Sequence, residues 1–434
     1  MSYMDFERAN AYLELFISYE EIVKISYDKG HFDLKRVRDF LNDYGVDYAR
    51  LKYVHVAGSK GKGSTCRLIS NYLSKVGFKI GLYTSPHMWE VTERICCGGV
   101  DILREKFSEY VEDLKKYIDS TRLRRGQARG CKLTYFEFLT VIALKYFVDE
   151  NVDYAVLEVG LGGRLDATNV VKPELSVITT VELEHVGILG DNLSEILDEK
   201  LGIVKGGVPV LIGYQSKEGM MLVKKKLKGR GRVFYAEEGN GWKEKRETAF
   251  PRPSKGGDRR VWISSFSDAS IRNARVAYCA LKLLLGTIDE NVFHKILSEF
   301  KLPGRFDVRR IDKKIVVFDI AHTKNSALNL TNALKKNFSK KKFVFLIALM
   351  KGKDVSGILK IIGRVADEII FTNAHKERGI PAEELKKFAW KLGLKCKLRV
   401  IEENKAAYAA LLLKKNRIPV VTGSHFLVGK LLKP

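Results

Sequence analysis

Residues 54–65 read Val-His-Val-Ala-Gly-Ser-Lys-Gly-Lys-Gly-Ser-Thr. The run Tyr53 to Val56 is apolar and β-branched, as in a buried strand. Gly58, Gly61 and Gly63 then crowd around Lys62, and Ser64 and Thr65 open a segment, Cys66 to Val76, with helical spacing. Strand, glycine turn and helix is the context in which backbone N–H groups and a helix N-terminus point at an anion. The lysine of such a loop reaches outer phosphates, and a hydroxyl can ligate Mg²⁺. The loop departs from the Walker A pattern, which needs glycine at Val56 and Ser or Thr at Gly63. Glycine-lysine clusters also occur in ordinary surface turns, and the flanking strand and helix favour the phosphate site.

Outward from this loop, strand-like and helical runs alternate along nearly the whole chain, the signature of a parallel α/β architecture. Strands are expected at 53–56, 80–84, 154–159, 175–180 and 208–213, and a helix near 271–285 closes the series. The stretch 215–265 is basic and glycine-containing and is expected to be a surface insertion or short peripheral strands. Pro303-Gly304 breaks regular structure within 301–307, which reads as a domain boundary. A second alternation follows, with strands at 315–319, 343–348, 368–372, 397–401 and 419–422 and helices at 325–336, 355–364, 382–392 and 404–414. The length of 434 residues allows two or three domains, and the division expected is 1–302 and 303–434.

Composition narrows the setting. Hydrophobic content of 45% suffices for packed cores. Six cysteines form no C-x-x-C pair, which argues against a zinc site or a disulfide framework and suits a reducing cytoplasm. Asp5, Glu7, Arg8 and Glu14 make the first residues unlike a signal peptide, and no run of about 18 apolar residues is present. The net charge of +24 gathers at 122–132, 224–232 and 243–260. It fits a nucleic-acid surface, steering of small polyanions to a cleft, or simple solubility. No basic motif is interleaved with aromatics in the manner that stacks on single strands.

Ligands of open α/β sheets sit outside the C-terminal strand ends. Ser85-Pro86-His87 and Glu93-Arg94 follow the second strand, Glu158 ends the third, and Glu182, Glu184 and His185 follow the fourth. A carboxylate such as Glu158 after an apolar strand needs a partner, and Mg²⁺ beside a bound triphosphate is a natural one; capping a backbone amide is the alternative. His185 is either a metal ligand or a satisfied histidine. In the second half the strand ends carry Asp319 and His322, Lys353 and Asp354, and Gly423 and Ser424, with Arg305 on the expected hinge as a candidate phosphate clamp.

These pieces, in this order, resemble the folylpolyglutamate synthase and dihydrofolate synthase family, a branch of the Mur ligase superfamily. The matching stretches are HVAGSKGKGST at 55–65, YTSPHMWEVTERI at 83–95, TYFEF at 134–138, LEVGLGGRLDATN at 157–169, EHVGILGDNLSEILDEKLGIVK at 184–205, Arg272-Asn273-Ala274, PGRFDV at 303–308, DIAHTKNS at 319–326 and VTGSHFLVG at 421–429. The resemblance implies an α/β fold with an N-terminal P-loop-type ATPase domain and a smaller, doubly wound Rossmann-like C-terminal domain. It implies that Gly58, Gly61, Lys62, Gly63 and Ser64 hold ATP phosphates and that Asn273, Arg305, Asp319 and His322 contact ATP. Ser85, Glu158 and His185 would ligate Mg²⁺. Thr134, Leu165, Asp166 and Ala167 would line the pterin or folate pocket. Lys62, Lys200 and His322 would carry the catalytic work, Lys200 standing where the family has a carbamylated lysine, which needs a depressed pKa to take up CO₂.

The reaction implied joins L-glutamate to a folate carboxylate through an acyl phosphate, with the domains closing over ATP about 301–307. The related alternative adds the first glutamate to dihydropteroate. A nucleic-acid-binding ATPase is the reading from a different class, and it leaves Ser85 and Glu158 without a task. Partners are then small molecules, with neither nucleic acid nor membrane, and the chain is expected to act as a cytoplasmic monomer. Two departures stand out: the common family loop has Thr-Asn where Ser59-Lys60 stands, and Ile320 replaces a glycine.

Overall fold

The structure is a computed structural model, and it describes residues 4–16, 32–125, 133–236, 268–339 and 341–433. The basic run 243–260 and the side chains of 122–132 lie outside the described residues. The chain forms two units, one of Met1–Lys243 with Arg272–Ser298, the other of Glu244–Ile271 with Glu299–Pro434.

The first unit is built on eight strands: β1 (Lys52–Ala57), β2 (Ile80–Tyr83), β3 (Ile95–Cys97), β4 (Val100–Asp101), β5 (Tyr154–Glu158), β6 (Leu175–Ile178), β7 (Val210–Ile212) and β8 (Val233–Tyr235). Their order is β4-β3-β2-β5-β1-β6-β7-β8. The strands from β2 to β8 run parallel, and β3 and β4 turn back as an antiparallel edge. Both sheet faces are covered, so the central strands are buried throughout and mostly apolar rather than alternating, with His55 and Ser176 as buried polar members. On one face Tyr53, Tyr83 and Leu157 pack with Phe138, Ile142 and Phe147 of the helix Tyr135–Asp149. On the other, Ala57, Ile178 and Ile212 pack with Ile196 and Leu197 of Leu193–Leu201 and with Val223. Register sets Val56 beside Glu158 and beside Val177, and Tyr83 beside Leu157, so the C-terminal ends of β2, β5, β1 and β6 lie in line.

Two details differ from the sequence expectations. Within the stretch expected to be irregular, Lys217–Lys226 is a helix. Ser216 caps its N-terminus by accepting the Gly219 N–H, Glu218 lies in the first turn and Lys224, Lys225 and Lys226 in the last, which complements the helix dipole. Val233–Tyr235 is the short peripheral strand that was expected. The helix after the phosphate loop begins at Lys62 rather than Cys66, so Gly63 and Ser64 belong to its first turn.

The second unit carries β9 (Asp307–Ile311), β10 (Lys314–Asp319), β11 (Lys342–Ile347), β12 (Ala366–Phe371), β13 (Lys397–Val400) and β14 (Arg417–Thr422), in the order β13-β12-β11-β14-β10-β9. Only β9 is antiparallel within this sheet. Helices Lys324–Asn337, Val355–Gly363, Ala382–Lys391 and Asn404–Leu412 connect the parallel strands, which makes it the doubly wound sheet expected. Among the described residues no helix is long and apolar enough to cross a membrane.

Candidate active site

The glycine loop is held from below. Ser59 and Lys60 donate their N–H groups to Thr180 O at 2.7 and 3.1 Å, and Ser59 Oγ exchanges bonds with Glu182. The helix Lys62–Lys75 has no side-chain cap. Its first-turn N–H groups, which lack intrahelical acceptors, are thus available to an anion. Gly61 stands at φ 91°, and a Cβ there would lie 2.1 Å from Asn273 Oδ1, so Asn273 is seated directly on the loop. Gly61→Ala carries roughly 1–2 kcal/mol of left-handed strain and displaces Asn273. It is expected to weaken nucleotide binding about tenfold or more, checked by titration calorimetry with ADP.

Two lysines share one acceptor beneath this loop. Lys62 Nζ donates to Gly58 O at 3.0 Å and Lys200 Nζ donates to the same carbonyl at 3.2 Å. Lys200 is 2% exposed and pairs with Glu184 Oε1 at 2.8 Å. Burial lowers the Lys200 pKa, with Glu184 opposing and Lys62 and Lys60 adding to the effect. Burial alone would raise Glu184, but Lys200 and then Lys62 outweigh it and hold its carboxyl at about 2. Lys60, Lys62 and Lys200 thus gather beside the loop with the Glu184 carboxylate among them, and Lys60 and Lys62 leave positive charge for a polyphosphate.

The proposed metal donors are only partly gathered. Ser85 N–H donates to Glu158 Oε2 at 3.1 Å, and Glu158 is 5% exposed. A Cβ on Gly63 would stand 3.2 Å from the same oxygen, so glycine there is what leaves the carboxylate open to the phosphate loop. His185 is exposed, in a left-handed turn at φ 49°, and its carbonyl accepts the Ile188 and Leu189 N–H groups. Among the described residues no three His, Cys, Asp or Glu side chains converge. A buried carboxylate with a hydroxyl residue beside it suits a hard, oxygen-preferring cation that keeps waters and phosphate oxygens in its shell, as Mg²⁺ does.

The expected acceptor loop follows the C-terminal end of β5. Thr134 and Glu137 form a capping box at the start of Tyr135–Asp149, and Arg36 pairs with Glu137. A Cβ on Gly160 would meet the Phe136 ring at 2.5 Å, so this helix start rests on the loop 160–168. Leu165 and Ala167 are buried. The Asp166 carboxylate faces its own loop: Oδ2 accepts the Gly160 and Leu161 N–H groups at 3.0 and 2.9 Å, and Oδ1 accepts from the Thr168 N–H and hydroxyl. The Thr168 hydroxyl also meets His55 Nε2 at 2.8 Å. With its hydrogen given to Asp166, that hydroxyl accepts from His55, and burial keeps His55 neutral, its pKa lowered to about 3. Asp166 thus shapes the backbone that Leu165 and Ala167 present.

Sequence reasoning placed Glu93, Arg94 and Glu184 at strand ends without giving them a role. Glu93 accepts the N–H groups of Met88, Trp89 and Glu90 at 2.8, 2.6 and 2.7 Å and so fixes the loop after β2. The buried Arg94 donates to His87 Nδ1 at 2.9 Å. Glu184 too was marked only by its strand end, whereas Phe136 lies in the first turn of the helix Tyr135–Asp149, within the stretch 134–138.

In the second unit Arg305, Asp319 and His322 group at the end of β10. Asp319 Oδ2 accepts the Phe306 N–H at 2.7 Å and His322 Nδ1 meets Ile320 O at 2.8 Å. Part of Asp319 reaches solvent, but its carboxyl is enclosed, and desolvation pushes it up to about 6 against the pull of Arg305 and of the Phe306 and Ala321 N–H groups. Ile320, where the family has glycine, is 5% exposed. Asp354 and Ser424 cap the helices Val355–Gly363 and His425–Leu432, a structural use.

Comparison with known proteins gives a consistent result. A family model described as the C-terminal domain of dihydrofolate synthetase matches residues 306–434. The dihydrofolate synthetase of Saccharomyces cerevisiae is 30% identical over 430 residues, covering 92% of this chain and 97% of the relative. The bifunctional folylpolyglutamate synthase/dihydrofolate synthase of Yersinia pestis, solved with AMPPNP and Mn ion, superposes with a TM-score of 0.78 at 25% identity over 99% of this chain and 97% of its own. E. coli FolC in complex with DHPP and ADP gives a TM-score of 0.77 at 26% identity over 99% and 97% of the two chains.

Proposed function

The chain belongs to the folylpolyglutamate synthase/dihydrofolate synthase family, and from that premise we propose that it is an ATP-dependent ligase joining L-glutamate to the carboxylate of a folate or folylpolyglutamate. The observation that carries this reading is the phosphate loop, with Lys62 and Lys200 on one carbonyl and the Glu158 carboxylate open to Gly63. The acceptor carboxylate attacks the γ-phosphorus of ATP and ADP leaves; the neutral amine of glutamate then attacks the acyl carbon of the resulting acyl phosphate, phosphate leaves, and the nitrogen gives up a proton as the amide forms. The protein's part is positioning and charge neutralisation.

Lys62, now turned onto Gly58 O, would swing to the outer phosphates, while first-turn N–H groups hold the inner ones. Ser85, Glu158 and His185 would hold a divalent cation, Mg²⁺ in the cell, which supplies charge neutralisation on the phosphates when bound. Asn273 would line the nucleotide pocket from its seat on Gly61, and Arg305, Asp319 and His322 are the residues of the second unit that would serve the nucleotide. Thr134, Leu165 and Ala167 would face the acceptor, with Asp166 setting their loop. The excess of positive charge suits ATP, glutamate and a glutamyl tail, and the chain would act as a cytosolic monomer.

A second reading is favoured by the match to a dihydrofolate synthetase domain and by the yeast relative: addition of the first glutamate to dihydropteroate, alone or beside the folate activity. The experiment is ADP release by the purified chain with Mg²⁺ and L-glutamate, comparing dihydropteroate with tetrahydrofolate monoglutamate. Release that needs glutamate and one of the two acceptors identifies the acid activated; release indifferent to both rules out the ligase reading.

Lys200 supports a finer proposal. A buried lysine whose pKa is lowered holds more neutral amine, and neutral amine adds CO₂ with loss of a proton to give a carbamate. With ¹³C-bicarbonate, a carbamate carbon signal is expected in the wild-type protein and none in Lys200→Arg; a signal unchanged by that substitution would refute the assignment.

A further inference from the structure

We propose that Tyr214 is a positioning residue, which anchors the helix Asp268–Leu285 at the end of β7 and thereby seats Asn273 on the phosphate loop. The inference rests on the proposed role of Asn273 toward ATP. The three residues after β7, Gly213-Tyr214-Gln215, tie two structures to one place. Gly213 N–H donates to Ile178 O at 2.7 Å. Gln215 spans the segment after β6: its Nε2 donates to Thr179 O at 2.7 Å and its Oε1 accepts the Val181 N–H at 3.0 Å. Between Thr179 and Val181, Thr180 O receives the Ser59 and Lys60 N–H groups that hold the glycine loop from below.

Tyr214 serves the helix, whose residues from Arg272 onward belong to the first unit. Arg275 donates to the Tyr214 hydroxyl, and the guanidinium carbons of Arg272 and Arg275 stand 5.4 and 5.8 Å from the centre of the Tyr214 ring. Like charges one turn apart on a helix repel, and the electron-rich face of an aromatic ring attracts both cations. Val276, 2% exposed, closes against Gly213, where a Cβ would stand 3.0 Å from its Cγ2. Asn273, one turn before Val276, meets Gly61, where a Cβ would stand 2.1 Å from its Oδ1. Residues 272, 273, 275 and 276 thus share one face of the helix, gripped at Tyr214 and Gly213 and set on the phosphate loop at Gly61. The grip falls on the neighbours of Asn273 in sequence, so the place of its amide on the loop follows from it.

The test uses the full chain, with ADP binding read by titration calorimetry and KM for each substrate read in the complete ligation assay. Tyr214→Leu keeps an apolar side chain and loses both ring and hydroxyl. It is expected to weaken ADP binding about fivefold and to raise KM for ATP alike, through the lost hydrogen bond and ring–cation contacts. KM for the acceptor and for L-glutamate is expected to stay within about twofold. Tyr214→Phe, which keeps the ring, is expected to recover part of the loss. Asn273→Ala is expected to cost about tenfold in ADP affinity. The double variant of Tyr214→Leu with Asn273→Ala should match Asn273→Ala within about twofold, because residues acting as one unit are not additive. Arg272→Gln changes an exposed residue and should weaken ADP about twofold with the thermal transition unmoved. Unchanged ADP affinity in Tyr214→Leu, losses that multiply in the double variant, or a rise shared equally by all three KM values would overturn the anchor. Wild-type ADP affinity in Asn273→Ala would instead remove the nucleotide role of Asn273 and, with it, an anchor that acts through that residue.

Discussion

Lys62→Ala is expected to lower kcat/KM for ATP by about 10²–10³-fold, the loss usual when one preorganised charged or hydrogen-bonding group is taken from a developing negative charge. The side chain starts the helix Lys62–Lys75 and folds back onto Gly58 O. Its removal opens no apolar cavity, so the melting temperature is expected to move little. The loss should fall on kcat more than on KM, since the first-turn N–H groups remain to bind ground-state phosphates. Full rate in the variant would remove the phosphate-loop assignment. Lys200 shares the Gly58 acceptor, so Lys62→Ala and Lys200→Ala are expected to be coupled rather than additive.

Glu158→Gln is expected to cost about as much, by another route. The substitution keeps the shape and an acceptor for the Ser85 N–H but removes the buried negative charge at the end of β5. Burying a carboxylate is unfavourable without a compensating cation. In the absence of metal the variant should therefore melt no lower than wild type. Its activity should fall about 10²-fold or more, with Mg²⁺ dependence shifted to higher concentration. A variant that loses stability yet keeps its Mg²⁺ response would show Glu158 to be a structural cap on Ser85 and no metal ligand.

The sheet and its strand ends were legible because parallel strands covered on both faces are mostly apolar runs, and a charged residue at the end of one is conspicuous. Tyr53 to Val56, then glycines and lysine, announced both β1 and the loop beneath the ligand. The helix Lys217–Lys226 was hidden by its own lysines, which mask the spacing of Met220, Val223 and Leu227, although Ser216 and Glu218 are ordinary start signals. The strand β9 was obscured by the Pro303-Gly304 break just before it. Within the site, the residue types were readable and their pairings were not. That Asn273 sits on Gly61, or that Lys200 reaches both Glu184 and Gly58 O, depends on chain packing that no local pattern encodes. Asp166 shows the converse case: its motif pointed to the acceptor, and the structure spends its carboxylate on Gly160, Leu161 and Thr168.

Acyl-phosphate formation has a direct isotopic signature. With acceptor labelled by ¹⁸O in the carboxylate to be extended, turnover with ATP, Mg²⁺ and L-glutamate is predicted to transfer one ¹⁸O from that carboxylate into the phosphate released. Phosphate that carries no label, while ADP accumulates and glutamate is joined, would contradict activation of the carboxylate by ATP.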